Sequence, residues 1–585
     1  MSEILLQRLK VYAKYCAQRE LMNPLLYLFV VKEPKLLQKQ FALDMKTLNK
    51  LKLIYQILIP LYNAMRDYLE GNLDRFMYEN LLDENPIKLG KIAARLLQYE
   101  EAQKHFFEAL KNSPDDPTIL ELIGHTFREL GKHQEALDYK MNALAIMEKH
   151  FDHLSCSNAR IYVSIGSELR ELGRYQEAYE YQTKAIQILE KISNENPLEL
   201  AMVYNNLGLT LHTLGKYQQA IFCHQNSLTL RKIVLGEANQ LTAASHHNIG
   251  VIFANLGEIK EGKKHLIRAA EILENLYGEK HPIVEASYEA IGGVLAELGK
   301  WSEALKYHQS SLHTWKMLFH EDHPNIAVSL DNIGCCLLNL GMHKEAHDYF
   351  VQSLELRERL FGETHPDLLK TLSNSASYFM ELGDYSNALN HYTRALRIAE
   401  RFFGKIHVNT ASIYSNMGEY YRAFGDYHKS KECSDVALEI YRQNLSDDHL
   451  SVAATLNNMG LTLIELEDYP SAQDKLEKAL AIRQKLLSPF HEEIGKSYNN
   501  LGGFFGQKGD FEKSLDFKKR ALKIFITCFG EEHPTTAMSY NNIGSTLGKM
   551  GEHSKSLKYK KKALNLSETI LEKNHRNLAI INSNI

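Results

Sequence analysis

Proline and cysteine are scarce, and long apolar runs are missing. Only 13 prolines occur in 585 residues. That suits a mostly helical chain, because an interior proline removes a backbone donor and clashes with the preceding turn. The seven cysteines (Cys16, Cys156, Cys223, Cys335, Cys336, Cys433 and Cys528) are odd in number and form no CxxC pair. They read as reduced core residues, and their spacing excludes a disulfide frame or a cysteine zinc site. Near the N-terminus the longest apolar run, Leu25 to Val31, is too short to span a bilayer. The opening MSEILLQRLK places Glu3, Arg8 and Lys10 where a secretory signal needs an unbroken apolar stretch. Charge of one sign is missing too: 68 Lys and Arg against 72 Asp and Glu give a net charge of −4. So even a balance exerts no global pull on nucleic acid or membrane. The expectation is a soluble, cytoplasmic protein with no membrane span and no nucleic-acid partner. Export by a system that reads another signal stays open.

What the chain has in abundance is repetition. At 585 residues it exceeds one ordinary core, so several domains or a repeat array are expected. Tyr-Asn-Asn-Leu-Gly-Leu at 204–209 returns as Tyr-Asn-Asn-Leu-Gly-Gly at 498–503 and Tyr-Asn-Asn-Ile-Gly-Ser at 540–545. The glycine recurs every 42 residues, at Gly166, Gly208, Gly250, Gly292, Gly334, Gly418, Gly460, Gly502 and Gly544, with Ala376 in the one gap. Upstream stand Gly124, one period earlier, and Gly90, 34 residues before that. A fixed period of this length is the signature of a solenoid.

Each period has one grammar. Seven residues after the motif glycine comes a second, as at Gly215, Gly257, Gly299, Gly341 and Gly383. It supplies the left-handed residue that ends a helix and lets the chain reverse. Small residues seven apart follow, as in Ala304/Ser311, Ala346/Ser353 and Ala388/Ala395. They put a narrow stripe on the second helix where a neighbour approaches closely. The motif glycine does the same for the first helix, offsetting a propensity cost of about 1 kcal/mol. Joints such as Tyr-Gly-Glu-Lys-His-Pro at 277–282 and Phe-Gly-Glu-Glu-His-Pro at 529–534 separate the units. There a glycine closes the second helix and a proline opens the next first helix. Each unit is thus a helical hairpin, and the fold class is all-α.

These glycines, aromatics and paired small residues resemble tetratricopeptide repeats. The 42-residue variant with F-G-x-x-H-P joints is similar to the repeats of kinesin light chains. The resemblance covers residues 83–585, about twelve full repeats plus a partial one. It implies a right-handed α-solenoid of stacked hairpins that serves as a non-enzymatic scaffold for other proteins, without cofactor or metal. Residues 1–82 lie outside it. They lack the sustained heptads through which kinesin light chains bind their motor, so a motor role is not carried over; an N-terminal helical cap or small helical region is expected there, with a separate partner-binding domain as the alternative. Two alternatives remain for function: the sensor or regulatory arm of a larger multidomain protein, and an exported bacterial effector that engages host proteins. The last residues, through Asn584 and Ile585, restart the motif, so the chain is expected to continue or to dock its end on another chain.

The paired asparagines need an explanation, because asparagine is a poor helix former. Two residues before the motif position, from residue 206 on, stand Asn206, Asn248, Asn332, Asn374, Asn416, Asn458, Asn500 and Asn542, with Asn584 next in the 42-residue register; over that stretch only Ala290 breaks the column. One position earlier come Asn205, His247, Glu289, Asp331, Ser373, Ser415, Asn457, Asn499 and Asn541. Each mid-helix asparagine costs about 0.6 kcal/mol relative to alanine, roughly 5 kcal/mol over the column. Two roles could offset this. The amides could bond neighbouring helices and fix the stacking. Alternatively they could hold a guest, because the resemblance implies that the first helices line a concave groove. An amide offers a donor and an acceptor, matching the backbone of an extended peptide. Layers about 10 Å apart would then clamp about every third peptide residue. On this reading the peptide-binding groove comprises Asn205, Asn206, Asn248, Asn332, Asn374, Asn416, Asn457, Asn458, Asn499, Asn500, Asn541 and Asn542. Glu289, Glu297, Asp331 and Glu381 would make its middle acidic; Arg422, Lys496 and Lys549 would make its later part basic. The fixed basic set with which chaperone-binding relatives hold a terminal carboxylate is absent.

Other signals carry less. The joint histidines, from His281 to His575, come one per repeat, too far apart to share a metal, and read as helix caps. His343 and His347 have helical spacing but Lys344 where HExxH needs glutamate. The lysines of 516–520 and 558–562 read as a solvated face of second helices.

Overall fold

The computed structural model describes residues 85–95, 98–150, 156–191, 196–279, 281–319 and 322–570. Among them stand 24 helices and no strand, from Pro86–Arg95 to His553–Ile570, paired into twelve hairpins. The expected cap over residues 1–82 and the partial repeat at the C-terminal end lie outside the described residues.

The hairpin over 324–361 shows how the grammar becomes structure. His323 caps the helix Pro324–Asn339, its Nδ1 accepting the Asn325 N–H at 3.1 Å, and Pro324 takes the first helical position. Ile326, Leu330, Ile333 and Leu337 recur at helical spacing and are buried. Gly341, at φ +83°, reverses the chain. The helix His343–Phe361 then buries Ala346, Phe350 and Ser353. Gly334 admits the Phe350 ring: a Cβ on Gly334 would stand 2.7 Å from ring carbon Cε1. At the far end Gly362 has φ +87° and ψ 167°, backbone that is essentially glycine-only.

Among the departures from this pattern, two reshape a turn. Pro366 does not open its helix; the helix is Leu368–Glu381. The first turn instead winds more tightly, with Leu368 N–H donating to His365 O at 3.1 Å and Leu369 N–H to Pro366 O at 3.0 Å. At 467 the repeat lacks its turn glycine, and Glu467 adopts φ +61°. A side chain there costs about 1–2 kcal/mol, of which glycine returns part as lost chain entropy. Glu467→Gly is therefore expected to stabilise the hairpin 450–486 by about 0.5–1 kcal/mol. Slower amide exchange in Leu450–Glu465 and Tyr469–Leu486 checks this; faster exchange would show that the Glu467 side chain supplies more than its backbone costs.

Curvature has a direction. From Cys156–Glu171 onward, first helices approach the first helix of the next hairpin, and no comparable approach joins successive second helices among the described residues. First helices therefore form the inner side. The array coils tightly enough for successive turns to touch. Gly173, Gly215, Gly257 and Gly299 each face the ring of His407, His449, His491 and His533 respectively, 234 residues further in every case. His449 Nε2 lies 3.1 Å from Thr213 O, and Ser488 N–H donates to Leu256 O at 3.0 Å. Tyr175 and Leu214 share a buried cluster with Leu438, Leu456 and Met459. The joint histidines His407, His449, His491 and His533 thus cap their own helix with one nitrogen and face the preceding turn with the rest of the ring.

Candidate functional site

The asparagine column runs along the inner side, and its geometry is specific. Asn248 Nδ2 donates to Asn205 Oδ1 at 3.0 Å, Asn500 to Asn457 at 3.0 Å, and Asn542 to Asn499 at 3.1 Å. Asn332 makes the same step onto Glu289, at 3.0 Å. In each case the amide two residues before the motif glycine reaches the polar residue three before the preceding repeat's glycine. Asn206, Asn374 and Asn416 hold the same place but are not tied into such a step, and the Asn374 amide nitrogen is buried without a partner. Asn458 accepts from the neighbouring Asn457 at 3.4 Å. The column itself is half-buried, whereas Asn457 and Asn541 are buried. A donating amide that gives up one N–H keeps its Oδ1 and a second N–H.

The expected acidic middle is largely spent on neighbours. Asp331 is fully buried, held by Arg357 at 3.1 Å and Thr371 at 2.7 Å, so it belongs to the core and not to the groove. A lone carboxylate buried there would carry a heavy desolvation cost, and these two donors offset it. Glu289 is saturated: His308 Nδ1 lies 2.6 Å from it, and Ser329 and Asn332 also donate to it. Desolvation by the surrounding chain and the charge of Glu492 raise the pKa of Glu297. Burial likewise lowers the pKa of His247. Lys496, expected to make the later part basic, is neutralised by Glu492 at 2.9 Å and Glu493 at 2.8 Å.

A second column escaped the sequence reading. The side chain packed under the motif glycine lies sixteen residues on, and it is apolar in some repeats and polar in others: Phe106, Lys140, Gln182, His224, Leu266, His308, Phe350. Lys140 and Glu168 are both fully buried and meet at 2.5 Å, with His133 at 2.9 Å from the same carboxylate. Neither His224 nitrogen has a partner, and burial pushes its pKa down to about 3. Lys518, expected on a solvated face, turns under Gly502 and donates to Thr546 at 2.8 Å; burial and Lys549 lower its pKa to about 8. The 42-residue register with Phe350 and Leu266 was the available signal.

Solved structures with related shape are distant. One is BtubC (BKLC) from P. vanneervenii, 22% identical, covering 40% of this chain and 95% of that one, with a TM-score of 0.33. A putative kinesin light chain of Podosopora anserina with nearly identical TPR-like repeats is 17% identical over 35% of this chain and 98% of that one, with a TM-score of 0.30. A Rap protein complexed with competence and sporulation factor is 18% identical over 64% and 98%, with a TM-score of 0.42. No curated protein matches the chain. Among the described residues no helix is long and apolar enough to cross a membrane. Profiles of the tetratricopeptide repeat match residues 87–147, 157–233, 241–312, 283–359, 349–401, 409–485 and 493–569. With most of its length matched in this way, the chain belongs to the tetratricopeptide repeat family.

Proposed function

We propose that the inner side of the array holds an extended segment of a protein partner, with the asparagine column as its main-chain clamp. Tetratricopeptide repeats generally serve as protein-binding scaffolds, and the protein is read as one that performs no chemistry itself. The observation that carries the reading is the inter-repeat amide bond. By donating one N–H backward, Asn248, Asn500 and Asn542 are each fixed in rotation, with Oδ1 and the other N–H left to offer. Such pre-organisation lowers the cost of gripping a flexible guest. The amides contribute to stacking and, on this reading, to binding as well.

The test is Asn458→Ala/Asn500→Ala/Asn542→Ala against a displayed library of unstructured peptides. Each lost inter-repeat bond costs about 1 kcal/mol and the better helix propensity of alanine returns about 0.6 kcal/mol, so the urea midpoint is expected to move little. Peptides selected on the native protein are expected to bind the variant about 10- to 100-fold more weakly. Unchanged peptide affinity together with a clear fall in stability would leave the asparagines with stacking alone.

A further inference from the structure

One repeat replaces a brace that its neighbours share. In four repeats a tyrosine on the first helix donates to a glutamate fourteen residues earlier: Tyr162 to Glu148 at 2.9 Å, Tyr204 to Glu190 at 2.6 Å, Tyr288 to Glu274 at 3.2 Å, and Tyr414 to Glu400 at 3.2 Å. The same position often packs at a tilt against an aromatic of its own second helix, as in Tyr162–Tyr181, Tyr288–Tyr307 and Tyr498–Phe517. In the hairpin 240–277 all three places change. The tyrosine is His246, its aromatic mate is His265, and the glutamate is Lys232.

The outcome is a cationic cavity of about 510 Å³, lined by His246, Lys260, Lys263, Lys264, His265 and Arg268, together with Ile267 and Glu271. The two imidazoles meet through their Nδ1 atoms at 2.9 Å. His246 is only 7% exposed, and its Nε2 has no hydrogen-bond partner. The nearest carboxylate oxygen, on Glu237, stands 3.9 Å away. Glu237 is itself held by Lys232 at 2.9 Å and Arg268 at 3.3 Å. Glu261 pairs with Lys264 at 3.4 Å and Glu271 with Arg268 at 3.1 Å, so the five cations outnumber the three carboxylates around them. The exposed Glu237 carboxylate therefore sits where Lys232 and Arg268 converge, and the unmatched buried nitrogen of His246 lies beside it.

We propose that this cavity binds a phosphomonoester, whose oxygens displace the Glu237 carboxylate and accept from His246 Nε2, Lys232 and the lysines of the helix Ile259–Tyr277. A phosphate dianion offers three strong acceptors where Glu237 offers two, and charge-assisted bonds of this kind are the strong ones. Both imidazoles are held below their ordinary pKa, His246 at about 4, by burial and by the surrounding cations. A bound anion relieves that repulsion. The site uses none of the inner-side asparagines and stands or falls apart from the groove.

The test is calorimetric titration of the full chain at low salt with inorganic phosphate, glycerol 3-phosphate and O-phosphoserine. Lys232→Glu/His246→Tyr/His265→Tyr rebuilds the brace found around Tyr288, so it is expected to fold and to lose phosphate affinity by at least about tenfold. Lys260→Ala/Lys263→Ala changes two surface side chains, cannot fail through the core, and is expected to lose a similar amount. Glu237→Gln is expected to bind several-fold more tightly. Equal affinity in the native protein and both cation-removing variants, or no heat with any of the three probes, overturns the proposal. Binding of inorganic phosphate but of neither ester overturns the ester assignment. Preference between the two esters then distinguishes a phosphorylated side chain from a glycerophosphate headgroup as the source.

Discussion

Between pH 7 and pH 5 the array is expected to lose stability along its joints while its surface ion pairs are still charged. The cause is the double use of the joint histidines. In His281, His323, His407, His449, His491 and His533 the Nδ1 accepts a backbone N–H and caps a helix, so that nitrogen must be unprotonated. Burial pushes His281, His449 and His533 down to about 4 and His323 to about 3; His407 and His491 are lowered as well, chiefly by burial. In the unfolded chain each titrates near 6.5. A group whose folded pKa is depressed contributes stability that is fully present above the unfolded value and lost as pH falls toward the folded one. The window is therefore about pH 6.5 down to about pH 4, and each strongly shifted histidine is worth roughly 3 kcal/mol across it. Because His407, His449, His491 and His533 also face the previous turn, the contacts between turns should open first. Amide exchange corrected for its intrinsic pH dependence would report this as lost protection near 213–217 and 449–455. His449→Asn keeps an N-capping side chain but does not titrate, so it should remove one histidine's share of the pH slope. A urea midpoint flat from pH 7 to pH 5 would contradict the burial of these rings.

Much of this architecture was legible because the period is long and strict. The motif glycine, the turn glycine and the His-Pro joint are local devices, and each does in the structure what its chemistry requires. Pro366 and Glu467 mark where that reading fails: a tightened first turn and a strained turn residue keep the hairpin although a grammar residue is misplaced or missing. What pattern could not give was the outcome of contacts far apart in the chain. Nothing in the sequence near His449 announces Thr213, 236 residues away. The closure of one superhelical turn on the next follows from small angles summed over several repeats, and no single motif encodes it.

The placement of the asparagine column was legible in the sequence, and its bonding partners less so. The column of half-buried amides lies on the inner side, as the family's geometry implies. Whether a side chain in that column faces solvent or a neighbour depends on the residue opposite it one repeat away. Asp331 illustrates this: in the register it occupies the place of Asn205, yet Arg357, 26 residues later on the second helix, draws it into the core. The His246 repeat is the converse case, where three substitutions in register turn a closed brace into an open cationic cavity.

Gly334→Leu is expected to destabilise its own hairpin while distant hairpins stay intact, and Lys561→Ala is expected to leave both unchanged. A Cβ at 334 would stand 2.7, 2.9 and 3.0 Å from three carbons of the Phe350 ring. That ring is 1% exposed and packs with Ile333, Leu337, Ala346 and Tyr378, so it has nowhere to withdraw. Forcing further methylenes into such a contact costs about 1–3 kcal/mol through distorted rotamers and backbone shifts, and leucine adds three carbons beyond that Cβ. Leucine's better helix propensity returns about 1 kcal/mol, less than the overpacking takes. Lys561 lies on an exposed face, where truncation is usually within about 0.5 kcal/mol. In a solenoid the damage is shared mainly with adjacent repeats, so a single global midpoint would understate it. Amide exchange resolves the matter: protection should fall across 324–361 and the flanking helices Trp301–Phe319 and Leu368–Glu381. Helices such as Pro534–Lys549 should keep theirs. Here the turn-to-turn contacts add a second channel of loss, because Tyr99 packs into the cluster of Trp315, Ile326 and Leu330. Protection should therefore also fall around Tyr99–Asn112, more than two hundred residues upstream. Loss confined to 324–361 would show that the turns touch without supporting one another; loss at both places would show that each turn is braced by the next.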